Sequence, residues 1–269
     1  MYIGVMRNLR HELYGESVFT SFRTFNGQVY GLEEHFKRLY EAVRDVYFMK
    51  TLTYSQFFNY FCIDIRASYL NKYPNHYIRM TIFSDQTNSS LNQKSFGLCD
   101  LELSISIKDL GEARSSLRLK SFSSPYSKSY IPIKSGSYFQ NLYFKRKGIE
   151  QGYDDILFTV DDEVVEASTS NIIFQRGNDF FFPAGHYFLQ GITLKLFKEF
   201  CRFKSFKIYE LDIKKNSIRN YDQAFLLNSV QGLVSVKSID EYEFIVDHSR
   251  KLNDHFLKFC EENLCRTKN

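Results

Sequence analysis

The sequence predicts a mixed fold of the α/β (α+β) class built as two domains, and three observations carry that prediction. Apolar residues make up 43% and charged residues 25% of the 269 positions, the balance of a folded globular chain rather than a disordered, collagenous or coiled-coil one. Runs rich in β-formers alternate with segments whose apolar residues recur at helical spacing. A polar stretch with a glycine, 108–114, separates two strand-like runs and reads as the linker between an N-terminal domain at 1–107 and a C-terminal domain at 115–269.

The elements follow in order. Segment 18–30 has β-rich residues on either side of Asn26-Gly27, a pair that accepts the positive φ of a two-residue turn, and so predicts a hairpin. Leu32, Phe36, Leu39, Tyr40, Val43 and Tyr47 then recur at helical spacing, with His35, Lys37, Arg38 and Arg44 between them, which predicts an amphipathic helix. A second helix is expected over 54–70, then strands at 77–83 and 101–107. Beyond the linker the pattern gives a strand at 117–122, a loop rich in Ser, Tyr and Pro, and a helix at 137–151. Strands are expected at 156–160, 172–175 and 180–182, a helix at 191–203, strands at 207–211, 224–228 and 234–239, and a closing helix at 247–263.

Composition narrows the function. The longest apolar runs, such as 180–182 and 224–227, fall far short of the ~20 residues a bilayer span needs, so no membrane partner is expected. The first sixteen residues carry two arginines and a glutamate where a signal peptide has its apolar core, and a cytoplasmic location is expected. Cys62, Cys99, Cys201, Cys260 and Cys265 are scattered and form no CxxC pair, which fits reduced thiols and predicts no metal site. The formal charge of +4 is spread along the chain, so no nucleic-acid partner is implied. The 27 Phe and 19 Tyr read as core and interface packing.

Four features could carry chemistry. Lys134 ends the loop SPYSKSYIPIK just before a helix, a position that suits a cleft, although most lysines are surface charges. Glu166, in VVEASTSNIIF, sits among apolar and small hydroxyl residues, where a carboxylate is costly without a cationic partner; a turn carboxylate after Asp161-Asp162 is the plainer alternative. Gln190-Gly191-Ile192-Thr193 opens a helix whose free N–H groups make a phosphate seat, as every helix start does to some degree. Arg38 could clamp the same phosphate through two N–H groups, or lie solvated on the surface.

Together and in this order these residues resemble one family over nearly the whole chain. The matching segments are GESVFTSFRTFNGQVYGLEEHFKRL, IPIKSGSY, GYDDILFTVDDEVVEASTSNIIF, FFFPAG with LQGIT, and LLNSVQGLVSVKSID. They are similar to the class IV pyridoxal-phosphate aminotransferases, the fold-type IV enzymes, which include branched-chain aminotransferases, D-amino acid aminotransferases and 4-amino-4-deoxychorismate lyases. The resemblance implies two α/β domains with pyridoxal 5′-phosphate in the cleft between them. It also implies a homodimer acting on a small amino substrate.

By the same resemblance, Lys134 is the residue that joins the cofactor aldehyde and later moves the substrate proton. Glu166 faces the pyridine nitrogen, whose positive charge would be the cation that its surroundings demand. Arg38 and the amides of Ile192 and Thr193 hold the phosphate, and Ser229 lies on a turn near the phosphate and the substrate carboxylate. Tyr138 falls near the cofactor ring or substrate, with core packing as an equal alternative. Tyr77 and Arg79, in a YIR strand, match residues that receive substrate carboxylates. The segment Phe83-Ser84-Asp85 departs from the common pattern, which usually has an arginine and a glycine there.

Phe19-Thr20-Ser21 is closer to the FTT form of the lyases than to the FEG form of branched-chain enzymes, and the short stretch before it points the same way. The expected reaction is therefore pyruvate release from 4-amino-4-deoxychorismate to give 4-aminobenzoate, a step of folate synthesis. The alternative is transamination of branched-chain or D-amino acids. A non-catalytic relative would have no physical need for Lys134, Glu166, Arg38 and the GIT turn together.

Overall fold

The computed structural model describes residues 10–84, 96–112, 114–130, 132–246 and 249–264. The sequence readings on 1–9, on 85–90 and on Cys265 lie outside these residues. By compactness the chain divides into two units, Met1–Leu110 with Ile133–Tyr138, and Gly111–Pro132 with Phe139–Asn269. The expected C-terminal domain at 115–269 included Lys134. The structure instead groups that lysine with the first unit, because its segment pairs with a strand there.

In the first unit a short helix α1 (Arg10–Tyr14) precedes β1 (Ser17–Arg23), α2 (Leu32–Val46), β2 (His76–Ser84) and β3 (Leu101–Asp109). The strands form an antiparallel sheet in the order β1-β2-β3. Alternation along each strand sorts the side chains onto two faces. Val18, Phe22, Ile78, Met80 and Ile82 are fully buried with Phe36, Leu39 and Val43 of α2 in one apolar core. Phe19, Ser21 and Arg23 lie on the opposite face, across from Thr81, Arg79 and Tyr77.

Two expectations change here. The Asn26-Gly27 turn forms, with φ of 50° and 79° and the Phe25–Gln28 bonds closed at 2.7 and 2.9 Å. The return strand of the hairpin does not form. Gly31 adopts φ 69° and sends the chain into α2, while β1 pairs with β2 from Ser17↔Phe83 to Arg23↔Tyr77. Thr24 fixes that choice, its hydroxyl donating to Tyr73 O at 2.6 Å and accepting from His76 N at 2.9 Å. The helix expected over 54–70 starts at a Thr53–Gln56 capping box as α3 (Tyr54–Phe57) and ends as α4 (Leu70–Lys72), but Phe58–Cys62 and Ile65–Tyr69 between them are π-helical. A 3.6-residue apolar pattern does not distinguish such wide turns from regular helix.

In the second unit β4 (Ser116–Ser123) leads through α5 (Phe139–Glu150) to β5 (Asp155–Val160), β6 (Glu163–Ala167), β7 (Asn171–Arg176) and β8 (Asp179–Pro183). Helix α6 (Ile192–Phe203), β9 (Ile208–Leu211), β10 (Gln223–Asn228), β11 (Gly232–Ile239), β12 (Tyr242–Glu243) and α7 (Ser249–Leu264) follow. The strand order β10-β11-β4-β5-β6-β7, with β7 pairing back onto β10, closes six strands into a barrel, which leaves those strands no open edge. Leu119, Leu157, Val164, Ile172, Leu226 and Val236 fill one shared core. Strand β5 is buried on both faces because Phe144 of α5 covers Phe158 at 5.6 Å between ring centroids, and so it reads as an unbroken apolar run. Strand β6 turns out of Asp161-Asp162, whose φ angles are 51° and 60°, so Glu166 stands on a strand and not in the turn.

Asp240 ties this barrel together. Its carboxylate accepts from Ser121 N at 3.1 Å and Ser121 Oγ at 2.5 Å, and from Lys120 and Lys215 Nζ at 3.0 Å each. Burial alone would raise its pKa, but these donors outweigh burial and hold it near 2. A carboxyl held below its unfolded value stabilises the fold above the unfolded pKa and loses that contribution as the pH falls through the folded one. For Asp240 this amounts to roughly 2 kcal/mol, lost between about pH 4 and pH 2. Asp240→Asn is expected to remove that stability in urea melts at neutral pH and to flatten the acid dependence across the same interval.

Candidate active site

Lys134 is placed by main-chain bonds. The edge of β1 not used by β2 receives the 133–136 segment through Phe19 N to Lys134 O at 2.9 Å and Gly136 N to Ser17 O at 2.8 Å, with Val18 bridged to Ser135. This brings Lys134 Nζ to 3.4 Å from the Tyr138 hydroxyl and 4.8 Å from the centre of the Phe19 ring. The Arg79 guanidinium lies 3.6 Å over that same ring and donates from Nε to Thr81 Oγ1 at 3.1 Å. Phe19, itself buried, meets Tyr138 edge-on at 5.4 Å. Four of the sequence candidates, Phe19, Arg79, Lys134 and Tyr138, therefore form one contact group. Tyr77 shares the face of Arg79 but, among the described residues, no ring contact or hydrogen bond joins it to Phe19 or Arg79.

Arg38 rises from α2 toward the core-facing side of β1. Its terminal nitrogen donates to Thr20 Oγ1 at 2.9 Å and lies 3.5 Å from His35 Nδ1, and Thr20 Oγ1 is 2.7 Å from that same nitrogen. Thr20 and His35 are fully buried. Burial, then the charges of Arg38 and Lys134, hold the imidazole well below its usual pKa, so His35 is neutral. Burial also draws the Arg38 guanidinium down to about 10. Among the described residues no carboxylate pairs with Arg38, and its buried Nε has no partner. A desolvated cation in that condition is a receptor for an anion.

The second unit carries the other candidates. Glu166 on β6 is opposite Asn171 on β7. Tyr126 and Tyr130 stack at 4.3 Å; burial raises both phenols, followed for Tyr126 by the Tyr130 phenol and then the Glu166 charge, and for Tyr130 by the Glu166 charge. Tyr126 donates to Asn141 Oδ1 at 3.2 Å, and Asn141 donates to Ser168 O at 2.9 Å. At the start of α6, Gly191 is the N-cap and has no side chain to close the helix. The first-turn amides of Ile192 and Thr193 are left as open donors. Thr193 Oγ1 meets Ser229 Oγ at 2.9 Å, and Asn228 fixes the Ser229 turn by accepting from Val230 N and Gln231 N at 2.9 and 2.8 Å. Two hydroxyls thus join the amides of one helix start.

Asn171 holds that start in place. Its Nδ2 donates to Leu189 O at 2.8 Å and its Oδ1 accepts from Gly191 N at 3.1 Å. A Cβ on residue 191 would lie 2.2 Å from Asn171 Oδ1, so only glycine permits the approach. Thr20, His35 and Asn171 were not singled out as site residues from the sequence. The available signal was the polar His35 one helical turn before Arg38, on a helix whose neighbouring positions are apolar.

The amino-transferase class IV family model matches residues 17–239. The chain belongs to this family. It is 24% identical over 246 residues to the "Probable branched-chain-amino-acid aminotransferase" of Rickettsia bellii, covering 88% of this chain and 83% of that one. It is 22% identical over 242 residues to the aminodeoxychorismate lyase of Bacillus subtilis, covering 86% and 80%. An aminotransferase from Brucella abortus solved with pyridoxal phosphate superposes with a TM-score of 0.78 at 18% identity, over 97% of this chain and 94% of that one. The fold is that of the fold-type IV enzymes and the protein is an enzyme of the pyridoxal-phosphate class.

The residues present fit that cofactor. It brings a phosphate dianion, an aldehyde and a basic ring nitrogen. The chain offers a buried guanidinium without a carboxylate partner among the described residues, an open helix start with two hydroxyls, a lysine amine and a carboxylate. Among the described residues, no group of three or more His, Cys, Asp or Glu side chains could hold a metal ion, and no helix is long and apolar enough to cross a membrane. Asn171→Ala removes two partly buried hydrogen bonds and is expected to weaken pyridoxal phosphate binding by about ten-fold or more. Equilibrium dialysis of the refolded apoprotein measures this, and an unchanged affinity would show that the α6 start takes no part in binding.

Proposed function

We propose that this chain is a 4-amino-4-deoxychorismate lyase, releasing pyruvate and forming 4-aminobenzoate for folate synthesis. The observation that carries the proposal is the Arg79 guanidinium resting 3.6 Å from the centre of the Phe19 ring, to which Lys134 Nζ also lies close, at 4.8 Å. A cation seated on the same ring as the lysine amine suits a substrate with a carboxylate near the carbon that loses its proton. A second reading, transamination of branched-chain or D-amino acids, is favoured by the names of relatives at 24% identity and uses the same residues.

In this proposal Lys134 and Tyr138 work with Glu166, Arg38, Ile192, Thr193 and Ser229 on one molecule of pyridoxal phosphate. When bound, the cofactor supplies an aldehyde for the substrate amine and a ring that withdraws electrons from the carbon beside it. Arg38, the first-turn amides of α6 and the Thr193 and Ser229 hydroxyls hold the phosphate. Glu166 holds a proton on the ring nitrogen. Lys134 Nζ takes the proton from the substrate carbon, with the Tyr138 hydroxyl as its hydrogen-bond partner during the transfer. Arg79 receives a substrate carboxylate, and Tyr77 lines the approach on the same face. The enzyme works as a cytoplasmic homodimer.

Three measurements test the proposal. Purified enzyme is expected to show a visible cofactor band that Lys134→Ala abolishes. With 4-amino-4-deoxychorismate and no keto acid, pyruvate and 4-aminobenzoate should appear in equal amounts. If only amino acids bleach the band, and a keto acid is needed to restore it, transamination is the activity. Arg79→Ala is expected to raise KM for the acidic substrate by about ten-fold or more with a smaller change in kcat.

A further inference from the structure

We infer that Thr20 and His35 are positioning residues that aim Arg38 at the cofactor phosphate through a one-directional hydrogen-bond relay. The inference rests on the reading of Arg38 as the phosphate arginine.

The direction of the relay follows from donor counting. A guanidinium only donates, so the Thr20 oxygen accepts from Arg38 at 2.9 Å. The one proton of the Thr20 hydroxyl is then available for His35 Nδ1 at 2.7 Å. That nitrogen must be unprotonated to accept it. The second approach decides the direction, since Arg38, which can only donate, lies 3.5 Å from the same Nδ1, and a donor aimed at a ring nitrogen requires a lone pair there, whereas the Thr20 oxygen alone could have accepted from both groups. His35 therefore carries its proton on Nε2, which is buried and has no partner among the described residues. The Phe22 ring lies edge-on to the imidazole at 5.1 Å and fixes its plane by packing.

This arrangement holds a cation without neutralising it. A carboxylate at residue 20 or 35 would bind Arg38 more tightly and cancel the charge that a phosphate needs. A hydroxyl backed by a neutral imidazole orients the guanidinium and leaves its charge available. It also occupies only the terminal nitrogen, so the buried Nε, which has no partner among the described residues, keeps a donor for an incoming oxygen. The cost of holding an imidazole beside a guanidinium in a core has no packing rationale of its own, because an apolar residue would fill the same space.

The test compares pyridoxal phosphate with pyridoxal, which lacks the phosphate, as ligands of the full chain freed of cofactor. In wild type the ratio of the two dissociation constants measures what the phosphate contributes. Thr20→Val and His35→Leu are expected to lower that ratio by about ten-fold or more, since each breaks the relay that orients a charged donor. Thr20→Ser and His35→Asn keep a hydroxyl and an acceptor in place and should restore the ratio to within about three-fold of wild type. Arg38→Met is the reference. If Arg38→Met leaves the ratio unchanged, the phosphate reading of Arg38 fails and the inference with it. If Arg38→Met lowers the ratio while Thr20→Val keeps it, or weakens both ligands equally, the relay is only structural and the inference alone is overturned. Thr20→Val is close to isosteric and decides the matter even if His35→Leu does not fold.

Discussion

The placement of Lys134 depends on one strand edge. Strand β1 has two edges, and β2 occupies one of them along its whole length. The other accepts the 133–136 segment through two main-chain bonds. A return strand at 28–30 would have competed for one of these edges. The left-handed Gly31 diverts the chain into α2 instead. Side chains on a loop rich in Ser, Tyr and Pro would sample many positions, and the ordering cost of holding an amine at a fixed point would be large. An open strand edge supplies that order with backbone groups alone, so the position of the segment does not rest on its side chains.

Two arginines of the first unit, Arg79 and Arg38, are held beside β1 by neutral partners. Arg79 rests on the face of Phe19 and on the Thr81 hydroxyl, and Arg38 on the Thr20 hydroxyl. Both solutions orient the charge without cancelling it. The second unit treats its lysines differently. Lys120 and Lys215 converge on Asp240, and Lys128 and Lys214 on Glu163, whose carboxyl these two lysines hold near 2 against the effect of burial. Those pairs neutralise one another and hold loops to strands. Arg10 of the first unit also pairs with a carboxylate, that of Glu16, so the division runs between kinds of partner and not between units; in the proposed reading, charges bound by neutral partners attract an anionic ligand and charges bound by opposite charges give cohesion.

Much of this was legible in the sequence. The helix over α2, the paired strands β2 and β3, and the strands of the barrel follow from apolar spacing, because each buries one defined face or, in β5, both. Lys134, Glu166, Arg38 and the α6 start stand out as candidates only through the order of their motifs, since a lone lysine or arginine has no local pattern that separates it from the surface. What stayed hidden depends on distant partners. The choice of β2 over a local hairpin is made by Thr24 reaching Tyr73 and His76, some fifty positions on. The grouping of Lys134 with the first unit depends on a bridge between Val18 and Ser135. Thr20 and His35 lie on different elements, and only the packing of α2 on the sheet makes them one relay. The π-helical turns leave no trace in a 3.6-residue period.

Lyase and transaminase chemistry make the same first demand on these residues, which is why the site cannot be read from Lys134 and Glu166 alone. Both reactions need a base at the substrate carbon and a protonated ring nitrogen. They part when the proton sits on Lys134. In transamination the lysine must deliver that proton to a second carbon, so its amine has to serve two positions. In the lyase reaction the C–O bond to the enolpyruvate group breaks as the ring becomes aromatic, and the released enolate takes up a proton to become pyruvate, so the proton held by the lysine goes to the leaving group or to water and not to a cofactor carbon. The protein then needs to do little more than admit a rigid acidic ring and hold it with the reacting carbon beside Lys134 Nζ. Discrimination between the two activities therefore lies with the groups that meet the far side of the substrate. In the proposed reading those are Arg79, which rests on the Phe19 ring, and Tyr77 two positions before it on the same face of β2, rather than the lysine or the glutamate.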